Sequence, residues 1–267
     1  MKAPVYGILD LSTIDYLQKP AMVIFMAGCP FRCPMCHNWK MLEVNQENEV
    51  DLSRVFQRIE NASLLIEAVK VSGGEPTLYP DVLTEIADFC KERNLSFGFD
   101  TNGFFPENVK KLVDRADLVS IDIKAPLNDP ELYGRLAGIG NGEKIIENLS
   151  STIKTVLESS SYADLRTTVI PTVNAEEEHF ESIGDALKSL GYIPKAEKLE
   201  ASYTLQQFEP LNAFSDEFKR INSPSVELLL TLAKKVNVPR VYIRHKGVGF
   251  MKPLEEIQVQ IEKHGTG

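Results

Sequence analysis

A parallel α/β fold is what this 267-residue chain predicts, and three observations predict it. Short β-branched apolar runs alternate with longer amphipathic stretches for most of its length, the rhythm of strand–helix units with right-handed crossovers. The length suits one barrel-sized unit with a small appendage. Finally, the cysteines, paired glycines and carboxylates cluster directly after apolar runs, where parallel α/β folds place their active sites.

The elements follow in order. Ala21–Met26 is continuously apolar and reads as a buried strand. Further strands are expected at Ile66–Val71, Leu95–Phe99, Leu118–Ile123, Asp164–Ile170, Tyr203–Phe208 and Arg240–Ile243. Amphipathic periodicity places helices at Leu52–Glu60, Asp81–Glu92, Glu107–Arg115, Lys144–Glu158, Ala175–Leu190 and Ser225–Lys235. About six βα units fit a partial or full βα barrel, with a flat doubly wound sheet as the competing architecture. Three segments interrupt the rhythm and read as loops: Met41–Val50, Leu127–Gly142 and Glu209–Pro224. Gly138-Ile-Gly-Asn-Gly142 looks like a phosphate cradle but follows no strand, so it too reads as a loop. The tail Gln258–Gly267 is expected to fray beyond a short helical start.

Composition bounds the function. Hydrophobic content of 43% and charged content of 25% are those of a soluble globular protein. A net charge of −9 argues against a nucleic-acid-coating surface. The first ten residues carry no secretory signature, and no apolar run approaches the ~20 residues that cross a bilayer. A cytoplasmic protein without a membrane partner is expected, in a compartment that keeps thiols reduced.

The chemistry concentrates in four places. Cys29, Cys33 and Cys36 have C-x3-C-x2-C spacing. Three thiolates leave one iron of a four-iron cube without a protein ligand, and an open metal position is where chemistry occurs. Such a site is oxygen-sensitive, which suggests anaerobic life. The competing reading is a zinc knot with His37 as fourth ligand, although adjacent residues poorly share one tetrahedral ion. Next, Val71-Ser-Gly-Gly-Glu-Pro-Thr77 follows a strand, with Gly73 and Gly74 permitting close backbone approach and Glu75 adding a carboxylate. A plain strand-to-helix turn would look the same. Phe99-Asp-Thr-Asn-Gly-Phe104 offers Asp100 and Asn102 at another strand end, or simply an Asx turn. Lastly, strand alternation puts Ser120, Asp122 and Lys124 on one face, and Asp164, Arg166 and Thr168 on one face of the following strand. Asp122 and Lys124 could pair with each other or meet a ligand carrying both amino and carboxylate groups.

Together these motifs resemble the radical S-adenosylmethionine superfamily, and more closely its glycyl-radical-enzyme activases, in particular the anaerobic ribonucleotide reductase activating proteins. Leu11-Ser-Thr-Ile-Asp-Tyr16, Cys36-His-Asn38, Arg166-Thr-Thr-Val-Ile-Pro171 and Leu205-Gln-Gln-Phe208 extend the likeness from residue 11 to about 210. The resemblance implies a partial (βα)6 TIM-type barrel over 1–210 with an extension, 211–267, packed on it. It implies a 4Fe–4S cluster on Cys29, Cys33 and Cys36, with S-adenosylmethionine chelating the open iron. Gly73, Gly74 and Glu75 would hold the methionyl amino group. Asp122 and Lys124 would meet the carboxylate and ribose, and Met35, Cys36 and His37 would lie near the adenine. Asp100 to Gly103, Asn102 included, would line the place where substrate docks, and Arg166 would join the cofactor site. The activity implied is reductive cleavage to a 5′-deoxyadenosyl radical that takes a hydrogen from a partner's glycine, with flavodoxin or ferredoxin as electron donor. The alternatives are a radical enzyme acting on a small molecule or tRNA base, and a non-catalytic metal-binding module.

Departures from the family pattern are Met35, where an aromatic is usual, and Leu17-Gln18, where Pro-Gly is usual. Cys90 reads as core. His179, His245 and His264 carry no pattern.

Overall fold

The computed structural model describes residues 1–45, 48–248 and 251–257; the expectation for the tail 258–267 lies outside the described residues. All seven expected strands form: β2 (Ala21–Met26), β4 (Ala68–Gly73), β5 (Ser96–Thr101), β6 (Leu118–Asp122), β7 (Tyr162–Val169), β8 (Ala201–Gln207) and β9 (Val241–Arg244). They lie side by side in chain order, each parallel to the next. Three strands without a sequence expectation complete the sheet. β1 (Lys2–Ser12) runs antiparallel to β2 and carries β3 (Glu49–Asp51), while β10 (Lys252–Pro253) runs antiparallel to β9. The order β10-β9-β8-β7-β6-β5-β4-β2-β1-β3 has two ends that do not pair among the described residues. This is a partial TIM-type barrel, open along one side.

β1 escaped notice because Val5-Tyr-Gly-Ile-Leu-Asp-Leu11 mixes charge and glycine into its apolar residues. Its register on β2 shifts between Val5 and Gly7 and again between Leu9 and Ser12, so no strict alternation survives to be read.

Helices α1 (Leu52–Ala62), α2 (Pro80–Glu92), α3 (Pro106–Leu112), α5 (Gly142–Glu158), α6 (Glu177–Ser189) and α8 (Val226–Val236) match expectation within a few residues. Two helices do not. α4 (Pro130–Ala137) lies inside Leu127–Gly142, expected to be a loop, and α7 (Tyr192–Glu197) follows α6. α4 is only eight residues long, and its proline and glycine are its punctuation. Asp129 caps it by accepting from the Leu132 amide, Pro130 occupies its first turn, and Gly138 ends it with a left-handed φ of 68°.

Alternate strand residues turn outward and pack under the helices. Val69, Val71, Phe97, Phe99, Val119, Ile121 and Leu165 are at most 1% exposed, and share one core with Leu83, Ile86, Leu149, Ile153 and Leu187. The inward residues are largely polar: Lys70, Asp100, Ser120, Asp122, Asp164, Arg166 and Thr204. At the strands' N-terminal ends a separate apolar cluster of Tyr16, Ala21, Ala68 and Leu118 closes the floor. Gly98 serves that plug: a Cβ there would stand 3.0 Å from the Tyr16 ring.

Candidate functional site

The strands' C-terminal ends and the loops that follow them enclose one pocket. Cys29, Cys33, Cys36, Met35 and His37 line it from the loop after β2. Gly73 and Gly74 come from the end of β4, and Asp100 and Asn102 from β5. Asp122 and Lys124 lie at the end of β6, and Arg166 on β7. Of the residues expected to hold the metal or cofactor, all but Glu75 line this pocket; Glu75 stands behind the wall, fully buried, and Ser120 and Asp164 are buried below it.

The cysteine loop is held from several sides. The Gly28 amide donates to Met41 O (2.7 Å), the Arg32 amide to Ala137 O (2.9 Å) and the Cys36 amide to Cys33 O (3.0 Å). The Arg32 guanidinium donates to Cys29 O at 2.8 Å. Gly138 sits so close to the Arg32 backbone that any Cβ would collide with it, so α4 braces this loop directly.

The glycine pair has a use that the sequence did not disclose. The Gly74 amide donates to Met26 O and the Glu75 amide to Gly28 O, both at 2.8 Å. A Cβ at Gly73 would strike Met26 O, and one at Gly74 would strike Gly28 O. Close approach is therefore required first by the cysteine loop itself. The Gly73 carbonyl accepts from Asn38 Nδ2 at 3.0 Å.

Glu75 ties this turn to the next. Its carboxylate accepts from the Thr77 amide and hydroxyl, from Thr101 Oγ1 (2.8 Å) and from the Asn102 amide (2.7 Å). Burial pushes its pKa up against these hydrogen bonds. The Asx turn expected at Asp100–Gly103 is present too: Phe104 N donates to Asn102 Oδ1 at 3.0 Å, while Asn102 Nδ2 lies 3.8 Å from Cys29 Sγ.

The charged side chains form one network. Arg166 Nη2 lies 2.9 Å from Asp100 Oδ1 and 3.1 Å from Asp122 Oδ1, and Nη1 lies 3.7 Å from Asp164 Oδ2. Lys70 Nζ lies 2.9 Å from Asp100 Oδ1. Lys124 Nζ stands 3.8 Å from Asp122 Oδ2, so Arg166 rather than Lys124 is the nearer partner of Asp122. Burial opposes the charge on Asp100, but Lys70 and Arg166 overrule it and hold the carboxyl far below its usual range. Burial likewise opposes the charge on Lys124, but Cys33 and Asp122 outweigh it and keep the ammonium charged.

Burial pushes the Cys29 thiol up to about 12 and Cys36 to about 11, with Cys33 also raised. A thiolate in so dry a place needs a cation against it, which bound iron would supply. Among the described residues no group of three His, Cys, Asp or Glu is arranged to hold one metal ion. His37 turns elsewhere, its Nε2 donating to Glu209 O at 2.7 Å. Cys29, Cys33 and Cys36 all line one pocket, a set of thiol donors that fits iron–sulfur ligation.

Comparison with known proteins adds the family. Residues 23–183 match the Radical SAM superfamily. The chain belongs to the radical SAM superfamily. It is 35% identical to a Methanocaldococcus jannaschii protein bearing the name of a glycyl-radical enzyme activating enzyme, over 91% of this chain and 97% of the relative. It is 25% identical to the pyruvate formate-lyase-activating enzyme of Clostridium pasteurianum, over 71% and 79% of the two chains. A solved radical SAM methyltransferase from Sphaerobacter thermophilus superposes with a TM-score of 0.66 over 94% of this chain and 82% of that one, at 14% identity, a likeness of fold. This radical SAM chain is thus an enzyme of the glycyl-radical-enzyme activating type, and its family implies an iron–sulfur cluster and S-adenosylmethionine.

Sequence reasoning gave no individual role to Lys70, Ser72 or Asn38. The last two line the pocket, as does Thr168, which alternation had placed on the face of Arg166, and Lys70 lies beneath it. Lys70 sits within the expected strand Ile66–Val71, and only inward alternation on a barrel strand could have flagged it. Met35 is 9% exposed and packs into the main core, as an apolar, adaptable side chain can. No helix of the described residues is long and apolar enough to cross a membrane.

Proposed function

We propose that this protein generates a glycyl radical on a partner enzyme of the anaerobic ribonucleotide reductase type, using a 4Fe–4S cluster on Cys29, Cys33 and Cys36. The observation that carries the reading is a single pocket holding three thiols and, facing them, both signs of charge: Asp122 and Asp100 beside Lys124 and Arg166. That is the complement of an amino-acid zwitterion. When bound, the cluster and S-adenosylmethionine supply reductive cleavage to a 5′-deoxyadenosyl radical able to take hydrogen from a glycine Cα.

The chain's own residues bind and orient. Gly73 and Gly74 offer main chain to the methionyl amino group, and Glu75 fixes that turn from behind. Lys124 meets the carboxylate and Asp122 the ribose, with Arg166 holding Asp122 in place. Met35, Cys36 and His37 flank the adenine, and Asp100 to Gly103 form the wall nearest the substrate backbone. Residues 211–267 act as an extension on the 1–210 barrel; its α8 and β9 continue the βα order, and its outer surface is available to a partner. Flavodoxin or ferredoxin serves as the electron donor, and the reaction takes place in the cytoplasm.

Anaerobic reconstitution with iron and sulfide, reduction with S-adenosylmethionine and assay of 5′-deoxyadenosine test the cleavage. Electron paramagnetic resonance of a candidate glycyl radical enzyme then tests the partner. 5′-Deoxyadenosine without any glycyl radical would favour a small-molecule or tRNA substrate. A well-formed cluster that yields no 5′-deoxyadenosine with any partner would defeat the proposal.

A further inference from the structure

The most buried cation of the barrel is Lys70, whose side chain is 2% exposed in the middle of β4. It touches no pocket surface, and a buried ammonium persists only where partners hold it. Its partners form a closed ring across four neighbouring strands. Lys70 Nζ contacts Asp100 Oδ1 at 2.9 Å and donates to Ser120 Oγ at 2.9 Å. Ser120 Oγ donates to Asp164 Oδ2 at 2.9 Å. Arg166 closes the ring, with Nη1 3.7 Å from Asp164 and Nη2 2.9 Å from Asp100. Lys70, Ser120 and Asp164 lie below the pocket, whereas Asp100 and Arg166 reach its wall.

The ring decides how Arg166 divides itself. Arg166 Nη2 is divided between Asp100 at 2.9 Å and Asp122 at 3.1 Å, and Nε gives Asp122 a second contact at 3.2 Å; Lys70 takes part of the Asp100 carboxylate and so leaves more of Nη2 to Asp122. Asp122, so held, stays 3.8 Å from Lys124. Without Lys70, Asp100 would draw on Arg166 alone. Asp122 would then turn to Lys124, the next cation in reach, and neutralise the charge that faces the opening.

We infer that Lys70 is a positioning residue that keeps Lys124 only loosely paired with Asp122, and so available to the carboxylate of the bound ligand, acting through Asp100, Arg166 and Asp122. The inference rests on the proposed reading of the pocket as an S-adenosylmethionine site. It predicts a selective defect. Ligands that carry a carboxylate should suffer from loss of Lys70, and otherwise similar ligands without one should not.

The test uses the cluster-loaded protein and two probes, S-adenosylhomocysteine, which has the amino-acid group, and 5′-methylthioadenosine, which lacks it. Binding is measured anaerobically by calorimetry, with no partner protein. Lys70→Met should weaken S-adenosylhomocysteine about tenfold or more while leaving 5′-methylthioadenosine within about twofold. Lys70→Arg should recover most of the loss. Equal weakening of both probes, the mark of a merely structural role, would overturn the inference, as would unchanged binding. If Lys70→Met fails to fold, Ser120→Ala decides: a selective loss of about threefold supports the inference, and no loss or an unselective one overturns it. If the wild-type protein binds neither probe, the reading of the pocket falls first and the inference with it. If the wild type binds both and Lys70→Met loses no selectivity, only the inference falls.

Discussion

The two ends of the same barrel strands are built from opposite materials. At their N-terminal ends Tyr16, Ala21, Ala68 and Leu118 make a dry plug, each at most 6% exposed. At their C-terminal ends the strands give way to cysteines, paired glycines and interlocked charges around an open pocket. The strands continue from one to the other without a break, so the backbone does not account for the difference. Division of labour does: one end contributes burial energy, and the other carries polar groups whose burial costs energy that the first end offsets.

That contrast predicts mutations that separate stability from chemistry. The largest effect belongs to the pocket end. Cys33→Ala should abolish 5′-deoxyadenosine formation and cut bound iron and sulfide sharply, while the apoprotein unfolds within a few degrees of the wild type. A large fall in the apoprotein's melting temperature would blur the contrast.

Tyr16→Ala tests the floor. Removing a buried aromatic should cost about 3–5 kcal/mol of stability, read by chemical denaturation. The folded fraction should retain wild-type affinity for S-adenosylmethionine. An equal loss of affinity would mean that the plug and the pocket are coupled.

A smaller effect appears with pH. Asp100 has a folded pKa below the unfolded value of 3.8. Its stabilising contribution is therefore fully present above that value, and is lost as pH falls through the folded pKa. The wild-type melting temperature should drop more steeply below about pH 4 than that of Asp100→Asn. Parallel curves would show that the ion pairs at the pocket end add nothing to stability.

The smallest effect is expected on the outer surface. Arg58 and Asp10 pair while both are about half exposed, so Arg58→Ala should change stability by about 1 kcal/mol or less, measured by the same denaturation. A larger cost would place β1, which carries Asp10, among the elements that hold the floor together.

The sequence made much of this visible. Each of the seven parallel strands was legible, because apolar residues that pack under the helices recur along each run, continuously in β2 and alternating with polar ones in β6 and β7, and several of the runs end at conspicuous glycines, cysteines or carboxylates. Three kinds of feature were not. β1 is interrupted by register shifts that erase its period. α4 is too short for a periodic signal, and its proline and glycine resembled loop residues. Lys70 was hidden because its purpose depends on Asp100 and Ser120, 30 and 50 residues further along, and no local pattern reports such a ring. The pairing of Asp122 was half legible. Alternation placed it beside Lys124, but its tighter partner Arg166 belongs to the next strand.

Glu75 bonds to Thr77, Thr101 and the Asn102 amide, its own amide holds the cysteine loop through Gly28, and α4 presses on that loop from the other side. The cysteine loop is therefore not a portable cassette. An engineer who grafted Cys29 through Cys36 onto another barrel would transfer the iron ligands but not the scaffold that spaces them. The smallest transplantable unit spans the cysteine loop, two further strand ends and a short helix, contributed by widely separated stretches of the chain.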